Sequence, residues 1–98
     1  VIHTVGPIYG TTTDDAGLLA NCYRNSLKLA AEHELQTIAF PGISTGVYGY
    51  PADEACEIAI RTTSAWLAEH RQPHLVTFCC FSEEAGKLYA ERLKSVML

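Results

Sequence analysis

The stretch Thr37-Ile38-Ala39-Phe40-Pro41-Gly42-Ile43-Ser44-Thr45-Gly46-Val47-Tyr48-Gly49-Tyr50-Pro51 decides how this chain is read. A short apolar, β-branched run enters it and a long pattern of helical spacing leaves it, so it reads as a strand, a glycine-rich loop and a helix opening at Pro51. Such a junction favours anions. A helix leaves its first four N–H groups unpaired, and its aligned peptide dipoles place about half a positive charge at that end. Gly42, Gly46 and Gly49 are expected to supply the positive φ that lets successive amides converge, with Ser44 and Thr45 adding hydroxyl donors and Pro51 taking the first helical position. No lysine or arginine lies between Phe40 and Pro51, which separates this loop from the G-x-x-x-x-G-K-[ST] loop of nucleoside triphosphatases. An uncharged cradle suits holding an intact diphosphate better than transferring a phosphoryl group, a reaction that draws on metal ions and cationic clamps. The competing reading is a plain strand-to-helix turn, and spacing alone does not choose between the two.

Outward from the loop, the chain alternates. Val1–Val5 is a β-type run stopped by Gly6-Pro7, and Ile8–Asp15 is a polar loop in which Asp14 or Asp15 is placed to cap a helix. From Ala16 to about His33 the positions Leu19, Cys22, Tyr23, Leu27 and Ala30 share one helical face, Tyr23 reading as core. After the loop, Ala55, Ile58, Ala59, Thr62 and Trp66 recur at helical spacing to about His70. Asp53 and Glu54 in that helix's first turn would repel a phosphate, so their side chains are expected to point away from the loop. Leu75–Phe81 is an unbroken apolar run, as in a strand covered on both faces. Ser82 then caps a helix carrying Ala85, Leu88, Tyr89, Leu93 and Val96 inward. Strand, helix, strand, helix, strand, helix means an α/β fold with a mostly parallel sheet. Ligands in such sheets bind beyond the carboxyl ends of the strands. Phe81 ends a strand on that edge, where it serves either as core or as a stacking surface for a base.

Composition excludes several classes. Ninety-eight residues with 48% hydrophobic and 18% charged content fit one small globular domain, and a formal charge of −4 argues against a nucleic-acid-binding face. No run is long and apolar enough to span a bilayer, so no membrane partner is expected. Cys22, Cys56, Cys79 and Cys80 fall in no zinc spacing; they read as small buried hydrophobes of a reducing, cytoplasmic compartment, Cys79 and Cys80 facing opposite sides of one strand. His3, His33, His70 and His74 form no ligand pattern, and neither metal nor cofactor is expected. The chain opens inside a β-type run without methionine, and further residues are expected upstream.

Val1-Ile2-His3-Thr4-Val5-Gly6-Pro7, the Phe40–Pro51 stretch and a strand ending in an aromatic before Ser82-Glu83-Glu84 together resemble the macro domain family, the ADP-ribose-binding module. The middle stretch is similar to that of members that hydrolyse ADP-ribose esters. The resemblance runs the length of the chain and implies a three-layer α/β/α sheet without the N-terminal strands of the full fold, residues 1–98 being a single partial domain. It implies that Ser44, Thr45, Gly46, Val47 and Tyr48 wrap the diphosphate and distal ribose, with Gly42 and Ile43 at the entry and Phe81 near the adenine. Implied ligands are ADP-ribose or O-acetyl-ADP-ribose and mono-ADP-ribosylated proteins; the implied chemistry is hydrolysis of O-acetyl-ADP-ribose or of ADP-ribosyl esters on acidic side chains. The family's asparagine- and glycine-rich catalytic loop has no counterpart in these residues, so no catalytic residue carries over, and Asp14, Asp15 and Asp53 match none. The alternatives are a module that binds without turnover and an inactive remnant. The family also places a strand between the Val1–Val5 and Thr37–Phe40 segments, and the edge left open invites self-association.

Overall fold

A computed structural model describes residues 1–97. Three helices, α1 (Asp15–Glu32), α2 (Ala52–Glu69) and α3 (Glu83–Met97), alternate with two four-residue strands, β1 (Thr37–Phe40) and β2 (Leu75–Phe78). The strands pair in parallel, Thr37 opposite Leu75 and Phe40 opposite Phe78. The α/β class and the parallel pairing follow the sequence pattern.

The core lies on one face of this sheet. Ile38, Phe40, Val76 and Phe78 alternate inward against Leu19, Tyr23 and Leu27 of α1, Ala55 and Ala59 of α2, and Tyr89 of α3. Aromatic rings join the layers: Tyr23 and Phe40 have centroids 4.9 Å apart, and Phe78 and Tyr89 5.0 Å. Thr37, Ala39, Leu75 and Thr77, on the opposite face, are exposed. The helices thus cover one side, and the layer that would make three is not among the described residues. The buried face of α1 is as its periodicity indicated, with Ser26 added. α2 lies between α1 and α3, so its buried stripe widens to Ala55, Cys56, Ala59, Ile60 and Thr63, while Ile58, Thr62 and Trp66 are half-buried. Val96, expected inward, is exposed in the last turn of α3. No helix among the described residues is long and apolar enough to cross a membrane.

The Val1–Val5 strand does not form. A strand is defined by its ladder, and a groove of about 320 Å³, lined by Val1, Ile2, His3 and Thr4 on one side and by Ile38, Ala39 and Phe40 on the other, separates this segment from β1. Because Phe40 C=O and Gln36 C=O accept from Cys79 and Leu75, alternate residues of β1 face β2, and the backbone groups of Thr37 and Ala39 turn to the groove. The segment is held from below, Cys22 Sγ donating to Val5 C=O over 3.3 Å.

β2 also stops early, at Phe78 rather than Phe81. Pro41 and Gly42 turn β1 out of strand geometry, so the last ladder bond is Cys79 N–H to Phe40 C=O (2.8 Å) and the chain beyond has no partner strand. At the start of α1, Asp14 occupies the N-cap without a side-chain cap bond. Asp15 instead folds the preceding loop, accepting from Thr12 Oγ1 and Gly10 N–H at 2.7 Å each. Those bonds, the Thr12 hydroxyl first, hold its carboxyl below the usual carboxylate range. Ser82 caps α3 as its sequence indicated, accepting from Ala85 N–H at 3.1 Å.

Candidate functional site

β1 delivers the chain to the glycine loop, and the loop is tied at three levels. Thr45 N–H donates to Gly42 C=O, Gly49 N–H to Gly46 C=O and Tyr50 N–H to Ser44 C=O, at 3.3, 3.0 and 2.9 Å. Tyr9 N–H reaches Tyr48 C=O at 2.9 Å while its ring meets Tyr50 edge to face. Tyr23, only 1% exposed, lies beneath the entry: the Ile43 amide and the Tyr89 hydroxyl face its hydroxyl, and burial pushes its phenol up to about 12. Burial also raises the Tyr89 phenol.

These bonds consume the amides of Thr45, Gly49 and Tyr50, while that of Ile43 faces the Tyr23 hydroxyl. Those of Ser44, Gly46, Val47 and Tyr48 find no acceptor among the described residues. Four neighbouring free donors just ahead of α2 are what an anion cradle requires.

The side chains are arranged differently from the sequence expectation. Gly42, Thr45 and Gly46 line a cavity of about 390 Å³ together with Phe81 across from them. Ile43 is buried in the core, Val47 is fully exposed and Tyr48 partly so; none of the three, nor Ser44, lines the cavity. Thr45 Oγ1 donates inward to Gly42 C=O over 2.8 Å. Ser44 Oγ is buried without a partner and lies so close to Gly6 that a Cβ there would collide with it and with Ile43. The hydroxyls therefore shape the loop, and the free donors are backbone. Positive φ is likewise redistributed: Gly49 (+72°) has it, Gly42 and Gly46 do not, and Ser44 (+65°) does. Gly42 is required for closeness instead, since a Cβ would stand 2.6 Å from Thr45 Oγ1. At Gly46 a Cβ would meet nothing within 4 Å. Pro51 occupies the N-cap, one residue before the first helical position, with Ala52 facing the cavity.

The far wall was not legible from periodicity. Because β2 ends at Phe78, Cys79 and Cys80 leave the sheet and both face the cavity, followed by Ser82 and the α3 residues Ala85, Leu88 and Tyr89. Cys79 and Cys80 are thus exposed rather than buried, while Cys22 and Cys56 are buried as expected. Phe81 is 99% exposed at the rim, available as a stacking face and not as core. The amino ends of α2 and α3 both meet this cavity, each bringing the positive end of a helix dipole without a cationic side chain in the lining, although α3 also carries Glu83 and Glu84 in its first turn. Asp53 and Glu54 line a separate groove with Glu57 and Arg92, turned from the loop as expected.

A parallel α/β unit with an amide cradle at a helix amino end and an aromatic on the opposite rim defines the class, and the macro domain family model matches residues 1–59. The chain belongs to the macro domain family. It is 51% identical over 96 residues to an O-acetyl-ADP-ribose deacetylase of Klebsiella pneumoniae, covering 97% of this chain and 55% of that protein, and 55% identical over 94 residues to a macro domain-containing protein of Chlorobaculum tepidum, covering 95% and 55%. Among solved structures, the Oceanobacillus iheyensis macrodomain with ADP superposes with a TM-score of 0.92 at 49% identity, over 97% of this chain and 50% of that one. A Trypanosoma brucei macrodomain in complex with ADP gives 0.84 at 40%, over 93% and 38%. The chain spans about half the length of the curated relatives it matches.

Proposed function

We propose that these residues hold the diphosphate and distal ribose of ADP-ribose or O-acetyl-ADP-ribose, in a protein that hydrolyses O-acetyl-ADP-ribose or mono-ADP-ribosyl esters on acidic side chains. The observation that carries this is the run of free amides at Ser44, Gly46, Val47 and Tyr48 beside a cavity that Gly46 and Phe81 both line, with the first turns of α2 and α3 in its wall. The diphosphate lies on the amides, Thr45 and Gly46 flank it, and the adenine rests on Phe81. Relatives named for this deacetylation and neighbours solved with ADP support the reading. Titration calorimetry with ADP-ribose against the protein and its Gly46→Val variant tests it; equal affinities refute it.

A second reading is binding without turnover by these residues alone. Among the described residues no carboxylate or imidazole lines the cavity, so a water attacking the ester is not activated by them, and the cradle contributes positioning. We infer that residues 1–98 form a partial domain acting in the cytoplasm, and that the isolated chain associates with itself through the free edge of β1. Acetate release from O-acetyl-ADP-ribose by the isolated chain would contradict the non-catalytic assignment.

A further inference from the structure

The cavity contains a chemistry that nucleotide binding does not use. Cys79 and Cys80 are consecutive, both exposed, and both on its wall, between Phe81 and the loop residues Gly42 and Gly46. Thiols seldom occur in pairs on an accessible wall, since free cysteine is among the most buried residue types. Cys56 (0% exposed) and Cys22 (7% exposed) show that ordinary case within the same chain, and burial pushes the Cys56 thiol up to about 11. The amino ends of α2 and α3 in the cavity wall favour anions in general, including small thiol reagents that carry carboxylates, with Glu83 and Glu84 of the first turn of α3 outside the lining.

We propose that Cys79 and Cys80 form a thiol-modification site within the nucleotide cavity, where a low-molecular-weight disulfide bearing carboxylates forms a mixed disulfide that excludes the nucleotide. The exclusion rests on the reading of this cavity as the ADP-ribose site. The step is thiol–disulfide exchange. One cysteine thiolate attacks a reagent sulfur, the reagent S–S bond breaks as the new S–S bond forms, and the departing sulfur leaves as a thiolate that takes up the proton the cysteine lost. The protein sulfur is oxidised as the departing one is reduced, with no other oxidant. An adduct of tripeptide size takes a large share of about 390 Å³ and stands between the Gly46 amide and Phe81. An adenine-to-diphosphate span no longer fits.

The test uses oxidised glutathione. The reduced protein is incubated with it, with and without ADP-ribose at about ten times its Kd. Adducts are mapped by peptide mass in the native chain and in Cys79→Ser and Cys80→Ser, and ADP-ribose affinity is measured before modification, after it, and after dithiothreitol. Adduct is expected at residue 79 or 80 and not at Cys22 or Cys56, forming roughly tenfold more slowly with the nucleotide present, by mass action. Affinity is expected to fall at least about tenfold and to return on reduction. No adduct, adduct at the buried pair, or a modified protein that binds as before overturns the proposal. If the reduced protein shows no affinity for ADP-ribose, the nucleotide reading fails, and the thiol site stands or falls on the mapped adducts alone.

Discussion

Replacing Gly46 by valine separates binding from folding, because the structure predisposes this glycine to one effect and not the other. Its φ lies outside the left-handed region and a Cβ there meets no protein atom within 4 Å. The Cβ therefore meets no clash and needs no left-handed backbone, and reducing the freedom of the unfolded chain is if anything stabilising, by at most about 1 kcal/mol. Gly46 lines the cavity, and a side chain there takes up space beside the free amides of Gly46 and Val47. A branched side chain lifts a phosphate off those donors. Hydrogen bonds to charged groups contribute about 1.5–3 kcal/mol each, so losing two costs about 3–6 kcal/mol, or roughly two to four decades in Kd. Calorimetry with ADP-ribose reads the affinity, and urea unfolding of the same samples reads stability. An unchanged Kd in a variant as stable as the parent refutes the cradle. A variant that loses stability as well refutes the claim that Gly46 stands in open space.

Gly49→Ala should do the reverse, lowering stability by about 1–2 kcal/mol because its φ of +72° is costly for a residue with a Cβ, and urea midpoints check it. Phe81→Ala should leave the unfolding midpoint unchanged, since the ring is almost wholly exposed, while weakening ADP-ribose by about 1–3 kcal/mol of stacking and leaving ribose 5-phosphate affinity as it was. Thr63→Val should raise stability by about 1 kcal/mol, as Thr63 Oγ1 is buried without a partner and the replacement keeps the shape. Alkaline unfolding should depend on Tyr23, whose folded pKa of about 12 lies above that of the unfolded phenol near 10. Its contribution is complete below about pH 10 and lost between about 10 and 12, at about 1.4 kcal/mol per pH unit, because the unfolded chain releases its proton first. Tyr23→Phe should flatten that slope by this amount, read from urea midpoints at stepped pH.

What the sequence made legible was whatever depends on near neighbours along the chain. The face of α1 carrying Leu19, Cys22, Tyr23 and Leu27, the β1 strand and the position of the glycine loop are local matters of spacing and turn residues. Val1–Val5 has the composition of a strand, but a strand also needs a partner at ladder distance, and composition carries no information about the groove beside β1. Leu75–Phe81 failed as one strand for the same reason, its partner having turned away at Pro41. Within the loop, residue types marked the place but not the roles. Ser44 took the positive φ expected of Gly42 or Gly46 because Tyr50 N–H needs its carbonyl and Gly6 leaves room for its hydroxyl. By its sequence alone Phe81 read as core, and the resemblance to the macro domain family implied a place near the adenine; the ring is in fact exposed at the cavity rim and is no part of the core.

The cavity is a consequence of where the two strands stop. Pro41 and Gly42 bend β1 into the loop, and one residue past the last pair, Cys79 makes the final ladder bond to Phe40. Beyond that bond the two chains diverge, one toward α2 and the other through Cys80 and Phe81 to the Ser82 cap of α3. Divergence at the carboxyl end of a parallel pair opens a crevice, and because each strand is followed directly by a helix, two helix amino ends are delivered to its sides. A chain of formal charge −4 thereby gains a place where two helix amino ends favour anions with no cationic side chain in the lining, the first-turn acids Asp53 and Glu54 of α2 being turned into a groove with Arg92 and Glu83 and Glu84 of α3 lying outside the lining. The same divergence takes Cys79 and Cys80 off the sheet, which is why the thiols line the same cavity as the glycine loop.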